Sequence, residues 1–452
     1  MLVTDDDHPS LSSSTVSTTP TAPQPTAAAA RDLSHRDLTL DFARVLCVIL
    51  VVITHLLLVG IGRNAAGQIT VARTLELQPW FNGLSWGGQI MPLFFVVGGF
   101  ASLTAWRSAV RRGGTATEYV RGRVIRLALP TLPLFIFYVI VIGAAILAGV
   151  DPSFLQGITT GAGSPLWFIA AYVLVQACVP IMAGFHQRSP KLTLLILLAG
   201  AIVVDVVRYS TGVIEVGLIS LAFVWLFIQQ VGFWYADGWF SRRAWWQLVL
   251  IAVLCYVALV PLTTIGTYSA DMLSNLNPPT IPLIVLAVAQ ACVLRLLQRP
   301  LAALMRTRGA QGFVYLAGTR LMTIYLWHLP LIIALSGLCL IVPGALPEPA
   351  SAAWWWTRIP FFLVVLIGLY GISFLVGRFE RPRTFTTTPS ALAVGIAAAL
   401  TFIPAFAVLE WFLDFDFAVL GAVCMAASVL LLGWRPWSTS QRSLERKTAL
   451  LS

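Results

Sequence analysis

The stretch LDFARVLCVILVVITH (residues 40–55) decides the reading of this chain. It is apolar enough to lie in a bilayer, yet it opens on Asp41 and Arg44 and closes on His55. Arg44 and His55 are eleven positions apart, which in an α-helix is ~1100°, within about 20° of three whole turns. Both side chains therefore fall on one stripe, about 16 Å apart along the axis. Working outward, apolar runs of about 18–22 residues recur along almost all of the 452 residues, each long enough to span a bilayer as helix. Twelve are predicted, at roughly 41–62, 86–106, 124–147, 165–183, 191–209, 216–236, 245–265, 281–298, 313–341, 357–377, 391–410 and 417–434. They do not alternate polar and apolar residues, so helices are expected rather than an outer-membrane barrel.

Composition agrees. The chain is 58% hydrophobic and only 11% charged, with mean hydropathy +0.84, which excludes an ordinary soluble globular domain. Its net charge of +10 does not point to nucleic acid. The cations cluster in alternate connections, at Arg107–Arg123, Arg188/Lys191, Arg242/Arg243, Arg295–Arg308, Arg378–Arg383 and Arg435–Lys447, whereas Asp151, Glu215, Asp271, Glu348 and Glu410/Asp414/Asp416 lie between them. The positive-inside rule then predicts an even number of spans and two cytoplasmic termini, with Arg63, Arg73, Arg208 and Arg358 as exceptions. The fold class expected is all-α, a polytopic integral membrane protein of about 12 transmembrane helices.

Residues 1–37 are expected to be a disordered cytoplasmic tail, 38–384 a ten-helix membrane domain, 385–435 two additional helices, and 436–452 a basic cytoplasmic tail. No signal peptide is evident, so the first apolar segment is expected to stay as a span. LQPWFNGLSW and AWWWTR read as interfacial aromatic belts in the connections 63–85 and 342–356, and DMLSNLNPPT (271–280) as an ordered turn. The six cysteines fall in spans without CxxC spacing, so neither disulfide nor metal site is expected.

An ionisable residue deep in a membrane is a functional-site candidate, because burying it is costly unless it faces a polar cavity. His55 is the first; the bland alternative is a histidine bonded to a neighbouring helix, with Arg44 snorkelling to the interface. Asp41 is placed to pair with Arg44 at i,i+3. His328 precedes Pro330, which frees a carbonyl in the turn before it, so the ring either caps such a carbonyl or lines a cavity. Tyr325 and Trp327 read as packing residues, and Trp167 as either an outer-mouth or a belt residue. Glu380 is expected to pair with Arg378 or Arg381, and Asp205 with Arg208. His8, His35 and His186 are assigned no role.

Several segments resemble, in order, those of acyltransferase family 3, the polytopic membrane O-acyltransferases. LDFARVLCVILVVITH matches its Arg-x10-His motif, MPLFFVVGGF (91–100) its FFVLSGF, RGRVIRLALP (121–130) its RxxR, SPLWFIAAYVLVQACVP (164–180) its WFL segment, TIYLWHLPLI (323–332) its YLWHxP and FERP (379–382) its closing Glu-x-Pro. The resemblance covers about residues 38–383. It implies transfer of an acyl group, usually acetyl or another short chain, from acyl-CoA to a hydroxyl of a carbohydrate, glycolipid or secreted small molecule. Within that reaction His55 is expected to be general base or transient acyl carrier and Arg44 to hold a CoA phosphate, Arg123 and Arg126 match the family's RxxR as further phosphate candidates, Trp167, Tyr325 and His328 are candidate substrate-side residues, and Asp41 and Glu380 orienting ones. Neither a metal nor nucleic acid is expected, and the Ala-, Arg- and Trp-rich usage suggests a bacterium, with the cytoplasmic (inner) membrane as the expected setting. Two departures stand out: Gly98 replaces the family's serine, and Arg320 falls inside the predicted ninth span, where it would snorkel or join the donor pocket. The rival from another class is a secondary transporter with a proton-coupled histidine; a scaffold that has lost activity is the third reading.

Overall fold

The computed structural model describes residues 38–64, 66–342, 344–380 and 390–433. The predicted tails at 1–37 and 436–452 and the linker arginines Arg381 and Arg383 lie outside the described residues. Helix α1 (Leu38–Leu58) leads into a two-stranded antiparallel hairpin, β1 (Gly60–Arg63) and β2 (Ile69–Ala72), with Gly60 opposite Ala72. There follow α2 (Phe81–Gly88), α3 (Met91–Arg111), α4 (Ala116–Leu147), α5 (Pro152–Gly163), α6 (Trp167–Ala177), α7 (Val179–Arg188), α8 (Pro190–Thr211), α9 (Ser220–Ala236) and α10 (Trp245–Thr264). The chain continues through α11 (Ile281–Leu296), α12 (Gln298–Leu304), α13 (Arg308–Gly318), α14 (Leu321–Ile341), α15 (Ala352–Val376), α16 (Ala391–Trp411) and α17 (Phe415–Leu431). Among the described residues ten helical segments are long and apolar enough to cross a membrane. The bent pair α11–α12, with a 56° break, would make eleven if it is one span, and α17 is a shorter apolar helix. The protein is an all-α polytopic membrane protein.

Local chemistry places the helix ends. Thr115 and Glu118 form a reciprocal capping box at the start of α4. This starts the helix eight residues before the apolar run predicted from 124. Asp151, Thr307, Ser351, Ser390 and Asp414 accept backbone N–H groups at the starts of α5, α13, α15, α16 and α17. Gly212, at φ +72°, closes α8 in the left-handed conformation that glycine adopts without strain.

Three expectations need correction. The predicted span 313–341 is two helices, because the chain breaks at Thr319–Arg320; Arg320 Nη1 donates to the Ser373 carbonyl at 2.6 Å and ties the break to α15. AWWWTR lies not in the connection but in the first turns of α15, where Trp354 is fully buried under the hairpin and the Arg358 guanidinium lies 4.6 Å from its ring centroid. The connection after α1 is not simply irregular: it holds the hairpin, and Thr74 Oγ1 donates to the Leu57 carbonyl at the end of α1. DMLSNLNPPT is the ordered turn expected, with the Asn275 amide donating to the Ser269 and Asp271 carbonyls.

The core is built from α3, α4, α6, α9, α11 and the two C-terminal helices. Gly99 of α3 and Gly232 of α9 face each other so closely that a Cβ on either would meet the other helix's backbone, the Gln229 carbonyl or the Val96 carbonyl. Small residues at such a crossing let two backbones approach within a membrane. Phe95 then stacks on Trp225 at 4.2 Å, and Trp167 on the same indole at 5.6 Å. The last two helices are not peripheral. Arg121 donates twice to the Leu432 carbonyl, at 3.0 and 2.7 Å, Gly421 lies under the Phe135 ring, and Val394, Ala397 and Met425 belong to the main core.

Side-chain contacts tie several spans together. Tyr119 at the start of α4 bonds the Ser102 carbonyl late in α3, Arg107 of α3 meets Asp237 after α9, and Glu380 after α15 meets Thr323 at the start of α14. The clusters at Arg107–Arg112 and Arg121–Arg126 therefore share one face of the bundle with those contacts. The arginines off this pattern are engaged locally: Arg63 with the Gly67 and Leu340 carbonyls, Arg73 with Glu76, Arg208 over the Tyr209 ring, and Arg358 over Trp354 and Phe361.

Candidate active site

The site is organised by α1 and α14, which both begin at the arginine-rich face. Val45 of α1 packs at Gly318, just before α14, so Arg44 lies level with that break. His55 stands in the last turn of α1 rather than halfway along its span, since α1 stops at Leu58 and the hairpin takes over. Its ring meets that of His328, centroids 4.9 Å apart at 66°. His328 is seven residues into α14, about 10 Å from its start at 1.5 Å per residue. The two imidazoles thus meet well inside the apolar span.

Each ring is fixed by one nitrogen. His55 Nδ1 lies 2.9 Å from the Val51 carbonyl and His328 Nδ1 lies 2.6 Å from the Tyr325 carbonyl. A carbonyl oxygen only accepts, so in the neutral ring Nδ1 carries the proton and Nε2 carries the lone pair. His328 is completely buried, and its Nε2 has no partner among the described residues. His55 is only partly buried, and its Nε2 likewise makes no hydrogen bond among the described residues. His328 Nδ1 thus meets the Tyr325 carbonyl rather than the Leu326 carbonyl that Pro330 frees, and its Nε2 is left without a partner among the described residues.

Tyr325 holds this arrangement from behind. Its hydroxyl donates to the Pro165 carbonyl at 2.8 Å, its ring lies 4.6 Å from that of Phe168, and the His328 ring is 5.8 Å away. Trp167 is buried against Trp225 and Phe168, a position in the core rather than in an interfacial belt. Trp327 packs on Phe137.

At the arginine-rich end, Arg44 Nε is buried without a partner, and the guanidinium is in no ion pair among the described residues. The expected Asp41–Arg44 pair is absent there; Asp41 instead occupies the first turn of α1, where the helix dipole favours an anion. Arg123 stacks over the Tyr119 ring at 4.9 Å and Arg126 is exposed on the same helix. Glu380 does not pair with Arg378, which lies over Phe379. Its carboxylate accepts from the Thr323 and Met322 amides, at 2.6 and 3.3 Å, and from the Thr323 hydroxyl, capping α14 from the end of α15. The carboxylate is thus spent on the helix that carries His328. Asp205 likewise forms no ion pair with Arg208 among the described residues and accepts from the Tyr268 hydroxyl and the Ile281 amide. In both cases a carboxylate near an arginine in sequence is taken by N–H groups at a helix start, which are orphaned without such a partner.

Gly98 and Gly99 divide the work expected of them. Gly99 permits the α3–α9 crossing, and Gly98 faces Tyr172, whose ring would lie 3.4 Å from an added Cβ. Arg320 does not snorkel freely, its Nη1 being bound to the Ser373 carbonyl. Among the described residues no group of three or more His, Cys, Asp or Glu side chains converges as a metal site would require.

One histidine had no sequence signal. His186 ends α7 and is 3% exposed, with Nδ1 2.8 Å from Gln230 Oε1 and Nε2 3.0 Å from Asp237 Oδ2. Arg107 meets the other Asp237 oxygen at 2.6 Å. Partial burial pushes the Asp237 carboxyl up, but the hydrogen bonds from Arg107 and His186 outweigh it and leave the group below its ordinary value. A carboxyl held low stabilises the fold above the usual carboxylate range and loses that contribution as pH falls through its depressed value. Only a long-range contact reveals this cluster, because Arg107, His186 and Asp237 sit on three separate helix ends. Removing a buried hydrogen-bonded ring leaves its partners unsatisfied, at a cost of about 1–3 kcal/mol. His186→Ala is accordingly expected to lower the melting temperature of the purified protein, measured by tryptophan fluorescence, while leaving ligand affinity unchanged.

Comparison with known proteins supplies the rest. The sequence profile of an acyltransferase-domain family, acyltransferase family 3, matches residues 37–378. No curated protein and no solved structure matches. The matched span takes in α1 through α15 and with them His55, His328, Arg44 and the α4 arginines, leaving out α16 and α17. The chain belongs to acyltransferase family 3 and is a multi-pass membrane acyltransferase.

Proposed function

We propose that the protein is an O-acyltransferase that moves a short acyl group, acetyl foremost, from acyl-CoA to a hydroxyl of a carbohydrate or other envelope-related acceptor. The single observation that carries the reading is the stripe on α1. An imidazole whose Nδ1 is committed to the Val51 carbonyl presents a bare Nε2 about three turns from a guanidinium that lacks an anion. The CoA phosphates lie against Arg44 with Arg123 and Arg126 nearby, because guanidinium forks match phosphate oxygens. The pantetheine arm runs along α1 and delivers the thioester to His55. There Nε2 takes the proton of the acceptor hydroxyl, the oxygen attacks the thioester carbonyl, and the C–S bond breaks. An imidazole suits this role, since its unperturbed pKa of about 6.5 lies near the working pH. The arginine-rich face is the cytoplasmic one, where acyl-CoA is found, and the membrane is the cytoplasmic (inner) one.

Arg44→Ala tests the donor end. A charge-assisted hydrogen bond to phosphate contributes about 1.5–3 kcal/mol, so the variant is expected to bind CoA on the order of 10- to 100-fold more weakly, read by isothermal titration in nanodiscs. Affinity equal to wild type would remove Arg44 from the donor site.

A further inference from the structure

His328 is buried and polar, and the reaction just described leaves it without a task. Each unsatisfied buried nitrogen in a folded protein calls for an explanation, because the alternative is an unrecovered desolvation cost. Three features separate His328 from a merely structural histidine. Its Nδ1 is already satisfied by the Tyr325 carbonyl, so capping does not explain Nε2. Its nearest ring is that of His55, the one imidazole on α1. And it is held rigidly, since Tyr325 is anchored in turn to the Pro165 carbonyl at the entry to α6.

The geometry points to His55 and His328 as a pair that carries one proton between them. His328 acts through His55 as a positioning residue for that proton; being fully enclosed, it does not touch substrate. The inference rests on the acyl-transfer reading, and it balances as follows. The acceptor O–H bond breaks and its proton goes to His55 Nε2 as the oxygen bonds to the thioester carbon. The His55 ring, centred 4.9 Å from that of His328, passes that proton to the free Nε2 of His328, which takes it as its own Nδ1–H remains on the Tyr325 carbonyl. When the tetrahedral intermediate collapses and the C–S bond breaks, the proton returns through His55 to the departing thiolate. The products are an ester and a free thiol, and both rings end neutral. Two protons on the pair would place like charges about 5 Å apart in an enclosed site, which is disfavoured. Mutual exclusion therefore keeps one ring ready to accept. The same arrangement explains why Glu380 and Tyr325 both brace α14: a proton hand-over fails if the rings separate by an ångström.

The test uses the full chain in nanodiscs. For His328→Gln and His328→Ala the expected result is a fall in kcat on the order of 10- to 100-fold, with CoA affinity within about twofold of wild type and the melting temperature of the Gln variant close to it. Free imidazole added to His328→Ala restores part of kcat, which a packing role would not allow. Unchanged kcat in a folded His328→Gln overturns the pair. A readout independent of turnover is the ¹⁵N-histidine spectrum: on acidification the two rings together are expected to take up one proton before any second. Independent protonation of both rings overturns the inference. If wild type consumes no acyl-CoA while the spectrum shows the shared proton, the pair stands and the acyl-transfer reading falls.

Discussion

His55→Ala is expected to abolish acyl-CoA turnover by a factor on the order of 10²–10⁴, the usual contribution of a positioned general base, while CoA binding stays within about twofold of wild type. The separation follows from distance. The ring is about 16 Å along α1 from the guanidinium proposed to hold the phosphates, and its fixed nitrogen faces its own helix, at the Val51 carbonyl. Losing the side chain removes the base without disturbing the donor's charged end. His55→Gln separates shape from basicity, since an amide fills the space but takes no proton; it is expected to be as inactive as the alanine variant. CoA release read with a thiol reagent and CoA binding read by titration give the two numbers. A variant that keeps more than a tenth of wild-type turnover would assign the base to another group.

The second large effect concerns the scaffold. Gly232→Val places a branched side chain where the Val96 carbonyl and the Gly99 Cα already stand. Backbone cannot move aside as a flexible side chain can, so the cost lies at the upper end for overpacking, about 3 kcal/mol. It also separates α3 from α9, which carry the Phe95–Trp225 stack. The expected result is a large loss of folded protein on size-exclusion chromatography and a melting temperature well below that of wild type. Gly98→Ser restores the hydroxyl of the family pattern where the added Cβ meets only the Tyr172 ring at 3.4 Å, and is expected to fold normally.

The contrast between these glycines shows what the sequence made legible. Hydropathy located the spans because bilayer thickness imposes one length on every crossing. Helical periodicity placed Arg44 and His55 on one stripe because both lie in a single unbroken helix. What escaped were contacts between elements. The neighbour of His55 is 273 residues away in sequence, and nothing in YLWHLP says which ring it faces. Glu380 and Asp205 had arginines three residues or fewer away, yet both are taken by N–H groups at the starts of distant helices. The break before α14 was hidden because Thr319–Arg320 lies within a run whose average stays apolar; the Ser373 carbonyl that receives Arg320 and the Glu380 carboxylate that caps Met322 and Thr323 lie far away in sequence. His186 was assigned no role for the same reason, its partners being Gln230 on α9 and Asp237 just after it.

The most direct measurement is acyl-CoA binding and consumption by the purified wild-type protein in nanodiscs, across a panel of acyl chain lengths. The expected result is saturable binding with release of free CoA for short chains, acetyl foremost, whether the acyl group passes to an added sugar acceptor or slowly to water. Neither binding nor consumption of any acyl-CoA would contradict CoA as the donor and direct attention to transport through the same bundle.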